Sequence, residues 1–272
     1  MKKFENILIV SDIDETFLGT GSVIVERNVE ALKYFLSEGG KFTFATGRVH
    51  GSLLSTIPIA REIVSAPAIV SNGVYLYDFA TDTPFNCKTM DEALTRQVAE
   101  CIYDFNDDFI IRFSTPRETF FCRVTPEQLN GVEKPNLGCK VLSRDEWDFK
   151  DCCKITVRGN CKDIDALRSL LEEKFDGVFQ MIKSADDVLD VLNIGCSKGA
   201  SIADLRKYYR ERGIEVKVYT CGDYENDILM HKAADVSVCP SNAIDAVKEV
   251  VDMILCHCSE GLIADLISKI DL

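Results

Sequence analysis

The feature that most constrains this chain is a short, unbroken apolar run, Ile7-Leu-Ile-Val10, that stops at once on Ser11 and Asp12. A run of that length without polar alternation suits a strand covered on both faces. Such strands belong to parallel sheets with helices packed on either side. The pattern then repeats. Val29, Leu32, Phe35 and Leu36 share one helical face ahead of Gly39-Gly40, and residues 41–45 and 68–70 read as further strands. The last third predicts a helix over 200–212, a strand over 215–220, a helix over 226–234 and strands at 235–238 and 252–255. Strand and helix in alternation imply an α/β protein with a Rossmann-like, doubly wound parallel sheet.

Between these two blocks the texture changes. Leu94, Val98, Ile102 and Phe105 line one helical face, and strand-like segments follow at 109–113 and 119–123. Turn-rich sequence with Pro126, Gly131, Pro135 and Gly138 leads to a strand at 154–158, a helix at 164–175 and a strand at 178–182. We expect residues 86–185 to be a second α/β domain inserted into a core built from residues 1–85 and 186–272, a length within the usual domain range.

Composition narrows the function classes. A chain of 272 residues with 46% hydrophobic and 28% charged residues lies in the globular range. The run at Ile7 is far too short for a membrane span or an export-signal core, so a cytoplasmic protein without a membrane partner is expected. Twelve cysteines fall below the density of a secreted disulfide scaffold and read as reduced thiols. Their closest spacings, Cys152-Cys153 and Cys256-His257-Cys258, are not the paired knuckles of a zinc site. The formal charge of -13 argues against nucleic acid as a partner, because phosphate backbone needs clustered Lys and Arg. It also means that an anionic substrate needs a local cation.

The residues with chemistry to offer stand at strand ends. Asp12-Ile-Asp-Glu-Thr16 follows the first strand directly. Side chains two apart on extended backbone point the same way, so Asp12 and Asp14 project together into the crevice where open α/β sheets bind ligands. Two neighbouring carboxylates resist joint ionisation unless positive charge stands between them. A hard cation with oxygen ligands answers this, and Mg2+ fits best. An EF-hand loop does not fit, because its glycine position is Phe17 and its bidentate glutamate position is Val23.

Ala45-Thr-Gly-Arg48 offers a hydroxyl at Thr46 and, at Gly47, backbone that can approach an anion. Lys198, in Ser197-Lys-Gly199, precedes a helix whose N-terminus can meet the same anion. Gly222-Asp-Tyr-Glu-Asn-Asp227 supplies three acids and an amide, with Asp223 suited to direct metal contact and Asn226 and Asp227 to orienting groups around it. Each segment alone also has a plain structural reading: a polar loop, a turn, a surface lysine, an acidic helix cap.

Taken in order, Asp12-x-Asp14-x-Thr16, Thr46-Gly-Arg48, Lys198-Gly199 and Gly222-Asp223-x-x-Asn226-Asp227 resemble the four motifs of the haloacid dehalogenase superfamily of phosphohydrolases. The insertion between the second and third motifs, with Ser71-Asn-Gly73 and Ser241-Asn-Ala243, is similar to the Cof-type subfamily IIB, which carries an α/β cap domain. The resemblance implies a phosphoric monoester hydrolase, a Mg2+-dependent phosphatase of a small phosphorylated metabolite: a sugar phosphate, nucleotide or phosphorylated cofactor. It implies that Asp12 attacks phosphorus, while Asp14 protonates the departing oxygen and later deprotonates water. Asp12, the Asp14 backbone carbonyl and Asp223 would hold Mg2+, with Asp227 supporting them, and Thr46 and Lys198 would bind phosphoryl oxygens. Gly47, Arg48, Asn72 and Asn226 are the candidate substrate contacts beside the motif loops. Two positions depart from the family pattern, Glu15 and Pro240, both of which usually carry glycine.

Two rivals remain at this level. A phosphomutase of the phosphomannomutase type would use the same two aspartates to return phosphate to a sugar. A receiver-like phospho-aspartate switch also keeps acids, a threonine and a lysine at strand ends, but it is much shorter and has little need for a neighbouring acid-base. Arg112, Arg117 and Arg123 of the inserted domain read first as solvated side chains rather than anion ligands. The sequence carries no signal for oligomeric state.

Overall fold

The computed structural model describes residues 2–124 and 140–270, so the turn-rich stretch containing Pro126, Gly131, Pro135 and Gly138 lies outside the described residues. In chain order the elements are β1 (Ile7–Ser11), β2 (Leu18–Gly19), β3 (Val23–Ile24), α1 (Glu26–Ser37), β4 (Lys41–Phe44), α2 (His50–Thr56), α3 (Ala60–Ile63), β5 (Ala68–Val70), β6 (Tyr75–Asp78) and β7 (Thr83–Phe85). Then come α4 (Glu92–Phe105), β8 (Ile110–Ser114), β9 (Thr119–Arg123), β10 (Lys140–Val141), β11 (Lys154–Arg158), α5 (Cys161–Lys174), β12 (Phe179–Ala185) and β13 (Val188–Asn193). The last are α6 (Lys198–Arg210), β14 (Lys217–Cys221), α7 (Ile228–Ala233), β15 (Val236–Pro240), α8 (Asp245–Lys248), β16 (Met253–Leu255) and α9 (Cys258–Ile270). They group into two compact units, one of Met1–Arg48, Thr56–Phe85 and Ser197–Leu272, the other of Val49–Ser55 and Asn86–Cys196.

The first unit is a Rossmann-like parallel sheet in the order β16-β15-β14-β1-β4. Its central strand explains the opening run. Leu8 and Val10 pack with Ile202, Leu205 and Met230 of α6 and α7, while Ile9 is equally buried on the opposite face. There Phe17, Phe42 and Phe44 meet edge to face or tilted, and α1 is tied to α9 through Asn28, whose Oδ1 accepts from the Ile263 and Ala264 N–H groups. A strand with no solvated face needs no polar alternation. The expected third parallel strand behaves differently: β5 pairs antiparallel with β6 in a three-stranded sheet and touches the parallel sheet only through the bridge Ala45–Ile69. Its three residues are too few to show direction in sequence.

The second unit has a six-stranded sheet, β10-β9-β8-β11-β13-β12, antiparallel except for β9 with β10. Val98 and Ile102 of α4 and Leu167 of α5 pack on Phe113, Ile155 and Val191. The strand β13 pairs with both β11 and β12, and residue 185 is the last of β12, paired with Val188 of β13. On β13, Asp190 is buried and accepts from Thr156 Oγ1 and Ser184 Oγ at 2.6 and 2.7 Å. Lys154 Nζ stands 3.3 Å from the same carboxylate. Arg123 lies over the Tyr103 ring at 3.8 Å and donates to the Asn106 carbonyl, Arg112 donates to Thr156 Oγ1 at 3.4 Å, and Arg117 is exposed. Eleven of the cysteines fall among the described residues, and all eleven are free thiols. Among the described residues no helix is long and apolar enough to cross a membrane.

Candidate active site

The candidate residues of the first unit collect at the carboxyl ends of its parallel strands. Asp12 leaves β1 with its N–H still bonded to the Cys221 carbonyl at 2.8 Å, which fixes it beside the loop after β14. Lys198 opens α6, where Ser197 caps the helix by accepting the Ala200 N–H. The lysine is fully buried, and its ammonium group donates to Asp12 Oδ1 at 2.6 Å and to Asp227 Oδ1 at 2.7 Å.

Asp223 and Asp227 follow β14 on a tight loop. Asp227 Oδ2 accepts from the Asp223 and Tyr224 N–H groups at 3.0 and 3.2 Å, and Thr16 Oγ1 donates to Asp223 Oδ1 at 2.6 Å. Gly222 is required there, because a Cβ would stand 2.4 Å from the Asp227 carboxyl carbon. One oxygen from each of Asp12, Asp223 and Asp227 lies within 4.8 Å of the others.

Electrostatics reflect this crowding. Burial pushes the Asp12 carboxyl up to about 7 against the lowering pull of Lys198, and Asp227 and Asp14 raise it further. Burial, then Asp12 and Asp227, push Asp223 up to about 8. Burial alone would lower the Lys198 pKa, but the two carboxylates more than offset it, so the net direction is upward. Three buried carboxylates against one ammonium leave the cluster short of positive charge. An all-oxygen donor set that lacks positive charge fits a hard divalent cation.

The second aspartate of the first motif is not part of that cluster. Asp14 is half exposed, and its carboxylate is held at both oxygens by Arg48, Nε to Oδ2 at 2.9 Å and Nη2 to Oδ1 at 2.7 Å. Thr46 is buried, with its Oγ1 accepting the Arg48 N–H at 3.1 Å. Asn72 Oδ1 accepts from Asn226 Nδ2 at 3.1 Å, and the Asn72 N–H bonds to the Thr46 carbonyl at 2.9 Å. Gly47 lies between Thr46 and Arg48 on the same turn.

Some participants were not singled out from sequence. Thr16, noted only as a motif letter, orients Asp223. Ser71 is wholly buried and its Oγ has no hydrogen-bond partner. Ser71, Asn72 and Gly73 have consecutive positive φ values of 51°, 55° and 86°, and a Cβ on Gly73 would stand 2.1 Å from the Ser197 carbonyl oxygen. Glu15 has φ of 53°, which explains why glycine is usual at its position. Its backbone carbonyl accepts from Asn242 Nδ2 at 3.0 Å, and its carboxylate lies 3.4 Å from Thr20 Oγ1 and 3.6 Å from the Cys258 thiol. Pro240 closes β15, and its carbonyl accepts the Ala243 N–H at 3.0 Å.

Comparison with known proteins agrees with this geometry. The model of a family described as haloacid dehalogenase-like hydrolase matches residues 9–267. A 5-amino-6-(5-phospho-D-ribitylamino)uracil phosphatase of Bacillus subtilis is 26% identical over 271 residues, covering 89% of this chain and 90% of the relative. The pyridoxal phosphate phosphatase of Escherichia coli is 24% identical over 278 residues, covering 91% and 92%. Among solved structures, a HAD/Cof-like hydrolase of Plasmodium vivax superposes with a TM-score of 0.83 at 20% identity, covering 98% of this chain and 96% of that one, a likeness of fold. With the family model spanning nearly the whole chain and the four motifs gathered at one sheet end, the chain belongs to the haloacid dehalogenase-like hydrolases, as a Cof-type phosphohydrolase of the phosphoric monoester hydrolase class.

Proposed function

We propose that this enzyme is a Mg2+-dependent phosphatase of a small phosphorylated metabolite, working through an aspartyl-phosphate on Asp12. The observation that carries the reading is the buried cluster of Asp12, Asp223 and Asp227 around a lysine bonded to the proposed nucleophile. Asp12 and Asp223, with the backbone carbonyl of Asp14, would hold the cation, and Asp227 would support them. When bound, Mg2+ supplies positive charge against the phosphoryl oxygens.

The protein's own groups do the rest. An Asp12 carboxylate oxygen bonds to phosphorus as the ester P–O bond breaks, and Asp14 gives its proton to the departing oxygen. Water then attacks the phosphorus, Asp14 takes the water's proton, and inorganic phosphate leaves with Asp12 restored. Lys198 has three N–H groups, two of them committed to carboxylates, so one remains for a phosphoryl oxygen. Thr46 accepts from Arg48 and keeps its own hydroxyl hydrogen to donate. Phosphoryl transfer depends mainly on such positioning and charge neutralisation.

Residues 86–185, which hold none of the motif residues, are our proposed cap, with a role in choosing among leaving groups. Relatives named for a ribitylamino-uracil phosphate and for pyridoxal phosphate support a small metabolite as substrate, and no nucleic acid or membrane enters this reading. The test is phosphate release across a panel of phosphorylated metabolites, with Mg2+ and with excess chelator. Full activity in chelator would refute the metal dependence. A hexose 1-phosphate converted to its 6-phosphate isomer without free phosphate would favour the mutase.

A further inference from the structure

We propose that Arg48 is a positioning residue for Asp14, locking the carboxylate that carries protons in the reaction; the proposal rests on the phosphatase reading above. A single hydrogen bond leaves a carboxylate free to turn about its Cβ bond. Two bonds from one planar guanidinium fix both its rotamer and its plane, and Arg48 makes both, at 2.9 and 2.7 Å. The guanidinium is anchored in turn. Its remaining nitrogen, Nη1, donates to Thr56 Oγ1 at 3.1 Å, and the Arg48 backbone N–H donates to Thr46 Oγ1 at 3.1 Å. All three nitrogens of the side chain thus have a partner within the first unit, and a continuous path runs from the Thr46 hydroxyl to the Asp14 carboxylate.

Stability does not explain this geometry. The Arg48 and Asp14 side chains are 32% and 47% exposed, and an ion pair that open adds little to folding. Chemistry explains it better. A side chain that gives a proton in one half of the reaction and takes one in the other has to keep its position between them. The two-point hold from Arg48 fixes the Asp14 side chain in one place for both.

The sequence-level reading of Arg48 as a substrate contact predicts something different, and kinetics separate the two. Arg48→Met, Arg48→Lys, Asp14→Asn and the Arg48→Met/Asp14→Asn pair are compared with the unmodified protein on 4-nitrophenyl phosphate and on an alkyl phosphate, in Mg2+. Arg48→Met should lower kcat by about 10²-fold, the scale expected for a misplaced catalytic group, and leave KM near its original value. With the aryl ester it should give a burst of nitrophenolate, because hydrolysis of the aspartyl-phosphate stalls. Arg48→Lys keeps the charge but not the fork, so it should fall close to Arg48→Met. In the Asp14→Asn background, Arg48→Met should add nothing.

A raised KM with kcat retained would make Arg48 a substrate contact and overturn the proposal. So would equal losses with and without Asp14. An Arg48→Met protein that fails to fold would contradict the small stability contribution and count against the proposal too. Absence of phosphate release from the unmodified protein on every ester would sink the phosphatase reading and this inference together. A working enzyme with additive mutants sinks the inference alone.

Discussion

Lys198 Nζ lies 2.6 Å from Asp12 Oδ1, and the lysine side chain has no exposed surface. The same ammonium also serves Asp227, whose side chain is equally buried. Lys198→Met strands two carboxylates without a cation, and breaking a buried pair in that way typically costs about 3–5 kcal/mol. Urea unfolding of the metal-free variant should show a loss of that size. A loss below about 1 kcal/mol would mean that both acids simply take up protons.

Metal and pH should act together. The folded Asp12 and Asp223, near 7 and 8, lie above the 3.8 of an ordinary aspartate. Between those limits the folded metal-free protein binds more protons than the unfolded chain. Its stability is therefore highest on the acid side and falls as pH rises through about 7 to 8. A divalent cation displaces these protons, so Mg2+ should raise the melting temperature more on the alkaline side of that window than on the acid side. Melting curves in Mg2+ and in chelator at both ends give the comparison. Equal shifts would contradict the assignment of these carboxylates to the metal.

The two aspartates of the first motif should fail in different ways. Asp12→Asn removes the proposed nucleophile and should abolish both steady turnover and any burst. Asp14→Asn keeps the backbone but loses the proposed proton transfer, so an aryl phosphate should release about one equivalent of phenolate per site and then stall. An alkyl phosphate should give no burst, because its leaving group needs the acid. A burst from Asp12→Asn alone would exchange the two roles.

Gly73→Ala tests a residue far from the motifs in sequence. The added Cβ would sit 2.1 Å from the Ser197 carbonyl, one residue before Lys198, at a φ of 86°. Strain of this kind costs on the order of 1–3 kcal/mol, or the Lys198 loop moves away. Turnover should fall in either case, and melting temperature with it. Unchanged kcat and stability would show that the turn and the lysine loop adjust independently.

Glu15→Gly should do the reverse. A left-handed non-glycine residue costs roughly 1–2 kcal/mol, and the side-chain contacts that Glu15 gives up are long, at 3.4 and 3.6 Å. Extra freedom of glycine in the unfolded chain offsets part of the gain. A net stabilisation below about 1 kcal/mol is expected from chemical denaturation. A loss larger than that would make the Thr20 and Cys258 contacts the reason for glutamate.

Much of the fold could be read in advance because its signals are local. The unbroken run of β1 reflects burial on both faces, and acids directly after it mark a strand end. The strand β13 escaped notice because Asp190 interrupts its apolar sequence, and only the register with Thr156 and Lys154 shows how that charge is accommodated. The bond between Arg48 and Asp14 spans 34 positions and depends on how two turns meet, which no spacing rule encodes. The left-handed Glu15 was equally hidden. Sequence marked it as a departure from glycine, but the reason is a backbone angle.

The pairing of β1 also sets an order of events at the ribosome. Ser11 has Phe44 as its neighbour on one side and Cys221 on the other. At roughly 5–20 residues per second, about 10–40 s separate synthesis of β1 from synthesis of β14, the strand that must lie beside it. During that interval an apolar edge is open to any other chain. Every strand of the six-stranded sheet, by contrast, lies between Ile110 and Asn193 and has been made before β14 emerges. The nascent protein can therefore finish its inserted sheet while the first unit still lacks a central partner strand, and crowded translation would penalise that unit first.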